Sequence, residues 1–455
     1  MNKIILPVIL LCLICAARGE EKQDKLIVHE WGTFTSLQDE KGNAIGGINA
    51  DDEQLPAFVH QLAYYLMLPP SGAGSEVPVV PYASKGITPR CHPDVTMRLE
   101  TPVIYFHPPE GWKSQPVDVR VTFSGGWLSE FYPDAAFKAP GFDKARPDGV
   151  YSNESVGKGF SGIGHIKPNT SGELSWKGLV LGAEGAGPES KEKVWLAPRD
   201  VKAATVKTDG GEIEKFLFYR GVANADAPLR ITRSKDCTTL EVHDNRTLSM
   251  PGAKDSLQIH AAWLLDVRPD GTCAFKSMGK VEEGGSPRVG MPAAFGAGDY
   301  SPDNLQRLKG EMRGALLNEG LYGDEADALL NTWEVSYFKS PGLRFFYLCP
   351  RIDIDNALPL TVSVPGGSPE ILAVDRVAVV TRVMIGRIEI VTPEQRALLK
   401  EIASGGSVKP SFQHEAYVKL GRFRNALVLD EQKHRPTPAL AEFISKNDLA
   451  AYKAD

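Results

Sequence analysis

The chain has 455 residues, 42% hydrophobic and 24% charged, with a formal charge of −6. That composition excludes wholesale disorder. The acidic balance argues against a nucleic-acid or anionic-membrane binder, because both need a basic face.

Residues 1–19 read as a signal peptide. Lys3 supplies the positive start, and residues 4–15 form an apolar run too short to span a bilayer. Ala17-Arg18-Gly19 then places small residues at the −3 and −1 positions of a cleavage site. The expectation is a secreted or periplasmic protein with no transmembrane segment in its mature chain. Cys91, Cys237, Cys273 and Cys349 survive cleavage into an oxidising compartment. Cys237 and Cys273 read as lying on two strands of one sheet and are the preferred disulfide; four free thiols are the alternative. The mature chain has no C-x-x-C, which excludes thiolate zinc fingers and thioredoxin-like chemistry.

Residues 25–36 (KLIVHEWGTFTS) alternate as a strand, with Val28 and Glu30 on one face and His29 and Trp31 on the other. Residues 52–67 predict a helix with Pro56 in its first turn. A Pro- and Gly-rich loop follows over 69–93. From 97 to 280 the pattern is strand after strand. It includes a predicted hairpin of 117–123 and 127–132 around Ser124-Gly125-Gly126, and strands at 173–181, 193–196, 215–219, 229–233, 239–243, 257–267 and 272–277. The period changes near 301. Leu305, Leu308, Met312 and Leu316 form one helical stripe, and Ala326, Leu329, Leu330 and Trp333 form a second. Together they predict an αα-hairpin at 302–338, with Gly310 and Gly314 on a closely packed face. Strands resume at 343–348 and 373–391. Thr392-Pro393-Glu394-Gln395 is a helix start with a capping box, and a last helix begins near Thr437. The fold expected is mainly β: residues 20–300 form a sandwich-like two-sheet body, and 301–455 an α+β portion containing the hairpin.

Several motifs fail. His29-Glu30 is not H-E-x-x-H, since position 33 is Thr. Residues 157–162 match G-x-G-x-x-G by letter but lack a strand–helix frame. What remains is a constellation: His29, His60, His92 and His107, with Glu30, Asp94, Arg98 and Glu100 around them. Imidazoles and carboxylates are the donors of zinc and other first-row metals, and also general acids and bases. The candidate metal ligands are His29, His92 and His107, for an unidentified divalent metal. The candidate catalytic groups are His29, Glu30 and Glu100. Each also has a structural reading. His29 shares a strand face with Trp31, where it fits a satisfied core histidine. Glu30 and Glu100 sit on apolar strand faces, where a carboxylate must be paired. Arg98 is the nearest partner in sequence, and a carboxylate pair in a cleft, as a glycosidase needs, is the alternative.

Five stretches resemble their counterparts in a family of uncharacterised exported bacterial proteins, the first of them that family's opening signature. They are His29-Glu30-Trp31-Gly32-Thr33-Phe34-Thr35-Ser36, Leu99-Glu100-Thr101-Pro102-Val103-Ile104-Tyr105-Phe106 and Phe216-Leu217-Phe218-Tyr219-Arg220-Gly221. The others are Gly320-Leu321-Tyr322 with Asn331-Thr332-Trp333, and Arg382-Val383-Met384-Ile385-Gly386-Arg387. The resemblance implies bacterial origin and export, and transfers no activity or site residue. Two functions stay open from sequence. One is a non-catalytic envelope or extracellular protein that binds a partner or polysaccharide through a β surface. The other is an exported hydrolase, metal-dependent or not, built on the N-terminal His/Glu cluster.

Overall fold

The computed structural model describes residues 25–49, 55–61, 91–112, 115–139, 168–246, 257–279, 290–364, 378–405 and 414–447, with short pieces at 83–84, 88–89, 142–144, 166, 281–282 and 449. The expected signal peptide at 1–19, most of the 69–93 loop and the 157–162 motif lie outside them.

The fold is mainly β, with one large sheet, a smaller sheet and a C-terminal helical part. The principal strands of the large sheet are β1 (Leu26–Gln38), β2 (Met97–His107), β3 (Val117–Ser124), β4 (Gly126–Tyr132), β5 (Ser171–Leu181), β6 (Leu217–Ala223), β7 (Ala262–Val267), β8 (Cys273–Ser277), β9 (Gly342–Leu348) and β10 (Ala378–Ile390). Its long path runs β5-β4-β6-β2-β1-β10-β9-β7-β8. The sheet therefore crosses residue 300 freely: β1 pairs in parallel with β10 along its whole length, from Leu26 opposite Ala378 to Gln38 opposite Ile390. On its other side β1 runs antiparallel to β2, with a bulge at Trp31/Thr33 where Thr101 adopts φ 43. The smaller sheet joins Leu229–Arg233, Thr239–Asp244 and Gly290–Pro292.

Central position makes β1 buried on both faces; every residue but Ile27 is inaccessible. One face, with Trp31, Val103, Tyr105, Val383 and Ile385, lies under the αα-hairpin. The opposite face, with Val28, Ile104, Phe106 and Met384, belongs to a larger core that also takes in Leu399, Leu427 and Phe443.

The helices are α1 (Lys193–Arg199), the hairpin α2 (Asn304–Asn318) and α3 (Gly323–Thr332), α4 (Arg351–Ala357), α5 (Pro393–Ala403), α6 (Glu415–Lys419), α7 (Arg424–His434) and α8 (Pro438–Lys446). Leu308, Met312 and Leu316 are fully buried, and Trp333 is buried and stacks on Tyr337 at 5.1 Å. After α3 the chain widens into a π-helical turn, Glu334–Lys339. Arg344 of β9 fastens that turn to the sheet, donating to the Tyr337 and Ser340 carbonyls at 2.6 Å each.

Four expectations are corrected. The described part of 52–67 is a turn followed by a short strand, His60–Gln61, which pairs with β4. Residues 193–196 are helical, because Trp195 buries its ring among Phe58, Tyr132, Phe216 and Phe218. Strands β3 and β4 form where expected but not as a hairpin; β3 pairs with β5, and β4 with β6. The turn between them is a tight corner. Gly125 has φ 81, and a Cβ on Gly126 would lie 2.5 Å from the Phe123 ring. Finally, Cys237 and Cys273 are free thiols that share no sheet, Cys237 exposed in a turn and Cys273 buried at the start of β8.

Candidate metal centre

Antiparallel register places His107 opposite Ile27, and Tyr105 opposite His29. His29 and His107 are therefore diagonal neighbours on one face of the sheet, within reach of each other. Their ring centroids are 5.3 Å apart. The third member comes from the hairpin. Glu325 occupies the third position of α3, where a carboxylate meets unsatisfied N–H groups and the positive end of the helix dipole. Its Oε2 accepts the Tyr322 N–H at 2.7 Å.

From there the carboxylate reaches across to the sheet. His29 Nδ1 lies 2.7 Å from Oε2, and His107 Nε2 lies 2.9 Å from Oε1. Burial acts to raise the Glu325 pKa. Hydrogen bonds from His107 and His29, the charge of His29 and the Tyr322 N–H together outweigh it and hold the pKa at about 2. The carboxylate is thus an anion at neutral pH, and both imidazoles donate to it. Asp324, beside it, accepts the Lys202 N–H at 2.9 Å, which ties the start of α3 to the segment after α1.

Glu325 and His29 are buried, while the His107 side chain keeps 13% of its surface. Tyr322 covers the outer side, its ring centroid 4.6 Å from that of His29 and 4.8 Å from that of His107, and is 40% exposed. One side of the cluster therefore faces outward under a tyrosine. One nitrogen of each histidine and one carboxylate oxygen lie within 4.8 Å of one another. Ligand bonds of ~2.0–2.1 Å in a tetrahedral site set donor atoms about 3.3 Å apart. Admitting an ion would open the two hydrogen-bonded contacts, which go to different carboxylate oxygens, by a few tenths of an ångström, and would draw the widest donor pair, up to 4.8 Å apart, together by as much as about 1.5 Å.

Of the three histidines expected to bind metal, two converge here. His92 does not. It is buried elsewhere, its N–H donating to Asn49 Oδ1 at 2.9 Å and its Nδ1 accepting the Asp94 N–H at 3.2 Å. His60 meets Glu212 instead, at 2.8 Å. Glu30 and Glu100 face opposite sides of the sheet and share no cleft. Glu30 accepts hydrogen bonds from the Tyr219 hydroxyl and Arg382. Glu100 pairs with Arg98 at 2.8 Å and Arg422 at 3.3 Å. Glu325 and Tyr322 are the members that sequence reasoning missed. Their one local signal is the acidic pair Asp324-Glu325 just ahead of the second helical stripe.

No family model matches the chain, and no curated protein matches it. Among solved structures, the chain is similar to the Fcho1 Mu homology domain of Danio rerio with a bound Eps15 peptide. The identity is 8%, over 82% of this chain and 97% of that one, with a TM-score of 0.27. A likeness that slight carries no argument here.

Proposed function

We propose that this is an exported protein, released to the periplasm or the exterior after loss of residues 1–19. It holds a divalent first-row metal, zinc foremost, on His29, His107 and Glu325, and acts there as a hydrolase. The observation that supports this reading is the convergence of two imidazole nitrogens and one carboxylate oxygen, from three distant segments, within 4.8 Å. Structural zinc sites are closed by four protein ligands, whereas catalytic ones take three and leave a position open. This cluster offers three, and its remaining side faces outward. When bound, such a metal supplies Lewis-acid polarisation of a substrate oxygen and a water acidic enough to ionise near neutral pH.

The chain's own residues do the rest. The Glu325 anion offsets part of the metal charge and is aimed by the Tyr322 N–H. The β1–β2 register fixes both imidazoles. Tyr322 lies over the open side, where a ligand would touch its ring or hydroxyl. Calorimetric titration of chelator-treated mature protein with zinc should show saturable binding at about one site. Hydrolysis of ester, amide or phosphoester reporters should follow zinc occupancy. Absence of binding would return the cluster to a structural clamp and leave the non-catalytic envelope reading in place.

A further inference from the structure

We propose that the outer edge of β8 is a docking site for an extended peptide of another protein, added to the sheet as a further strand. The proposal is independent of the metal centre.

Among the described residues, strand β8 ends the long path of the large sheet, and β7 is the one strand paired with it. Its hydrogen-bond phase follows from the flanking contacts. Arg268 N–H donates to the Thr272 carbonyl and Met278 N–H to the Ala262 carbonyl, each at 2.9 Å. In an antiparallel pair such bonds recur at every second residue, so Ala274 and Lys276 bond inward to β7. Cys273, Phe275 and Ser277 therefore direct their N–H and C=O groups outward. The Cys273 carbonyl is used, by the Ser301 N–H at 3.1 Å and the Asn304 side-chain amide at 2.8 Å. The cover then stops. Among the described residues no strand pairs with the edge at Phe275 and Ser277. Folded proteins usually cover or interrupt such an edge, because it templates strand addition.

Space and chemistry coincide at this edge. A cleft of about 730 Å³ opens beside Phe275 and Ser277, walled by the start of α2 and the 292–301 segment. That volume is within the range of sites that take short ligands. The cleft leaves room beside the edge for one extended segment. Phe275 and Phe295 give the cleft apolar surface, while the three acids Asp299, Asp303 and Glu311 outnumber the two bases Lys276 and Arg307. An extended peptide with an apolar side chain next to a basic one fits this lining, its backbone supplying the affinity and those side chains the specificity.

The test is selection from a displayed library of random linear dodecapeptides on the full mature protein, followed by binding measurements with the enriched synthetic peptides. Enriched sequences should combine apolar and basic residues. On binding, the Phe275 and Ser277 amides should gain protection from hydrogen exchange. Ser277→Pro removes an outward N–H that β7 does not use, and should weaken binding about tenfold or more. N-methylation of alternate peptide residues should do the same with the wild-type protein, which keeps the test valid if Ser277→Pro fails to fold. Three results would overturn the proposal. One is no enrichment over uncoated support, and another is peptide binding indifferent to both backbone changes. The third is a concentration-dependent dimer lost on Ser277→Pro, which would give the edge to a second copy of the chain.

Discussion

Glu30 shows how far a single residue can be read. Its place on an apolar strand face predicts a buried, paired carboxylate, and the structure buries it completely. The neighbour in sequence, Arg98, is not its partner. Arg382 and Tyr219 are, from 352 and 189 residues away. Removing one member of a buried pair leaves an uncompensated charge, so Glu30→Ala should cost about 3–5 kcal/mol in denaturant unfolding. A loss below about 0.5 kcal/mol, as at surface sites, would contradict the buried pairing. Asp353 carries the opposite imbalance. Both its carboxylate oxygens are buried without a hydrogen-bond partner among the described residues. Burial foremost, and then the negative charge of Asp244 against the opposing Arg246, push its pKa up to about 6. A raised carboxyl pKa means the folded state holds a proton that the unfolded chain releases. The stabilisation is complete below the unfolded value of 3.8 and is lost as pH rises through about 6. Asp353→Asn should therefore stabilise by about 1–2 kcal/mol at pH ~8 and by much less at pH ~4. Equal shifts in thermal melts at the two pH values would contradict this.

At the scale of elements, legibility follows the range of the forces. The αα-hairpin is readable because its stripes are periodic, and the helix starts are readable because caps are local. Thr392 accepts the Gln395 N–H while the Gln395 side chain accepts the Thr392 N–H, and Thr437 accepts the Leu440 N–H at 3.2 Å. Thr437→Ala should cost about 1 kcal/mol, measured by chemical denaturation; no change would mean the cap is not stabilising. Elements decided by tertiary packing are misread. Residues 193–196 have strand-like composition, yet they coil so that Trp195 can enter an aromatic pocket. The reading of Gly310 and Gly314 as a close-packed face is also wrong. Both are exposed, and a Cβ on either would meet nothing within 4 Å. The helix buries its other side through Leu308, Met312 and Leu316. Gly314→Ala should therefore stabilise by about 0.5–1 kcal/mol through backbone entropy, whereas destabilisation would mean a contact that the structure does not contain.

For the whole molecule, the decisive interactions join the two ends of the chain. Parallel pairing of β1 with β10 couples residues more than 350 apart, and no local pattern encodes which strands meet. The mainly β character is legible from turn spacing, but the order of strands is not. The same holds for the candidate centre. His29 and His107 stand out in the sequence as part of a histidine cluster. Glu325 lies 296 residues from His29 and reads locally as no more than a helix-start acid. A fragment ending at residue 300 would lack β9, β10 and the hairpin, exposing β1 along its whole length. It should be unfolded by circular dichroism, and a cooperative thermal transition in that fragment would contradict a single interdependent sheet. The central claim rests on metal. Elemental analysis by mass spectrometry should be run on wild-type mature protein and on Glu325→Gln, both equilibrated with zinc and desalted. The account predicts about one equivalent in the wild type and its loss in the variant; a metal-free wild type, or equal zinc in both, would contradict it.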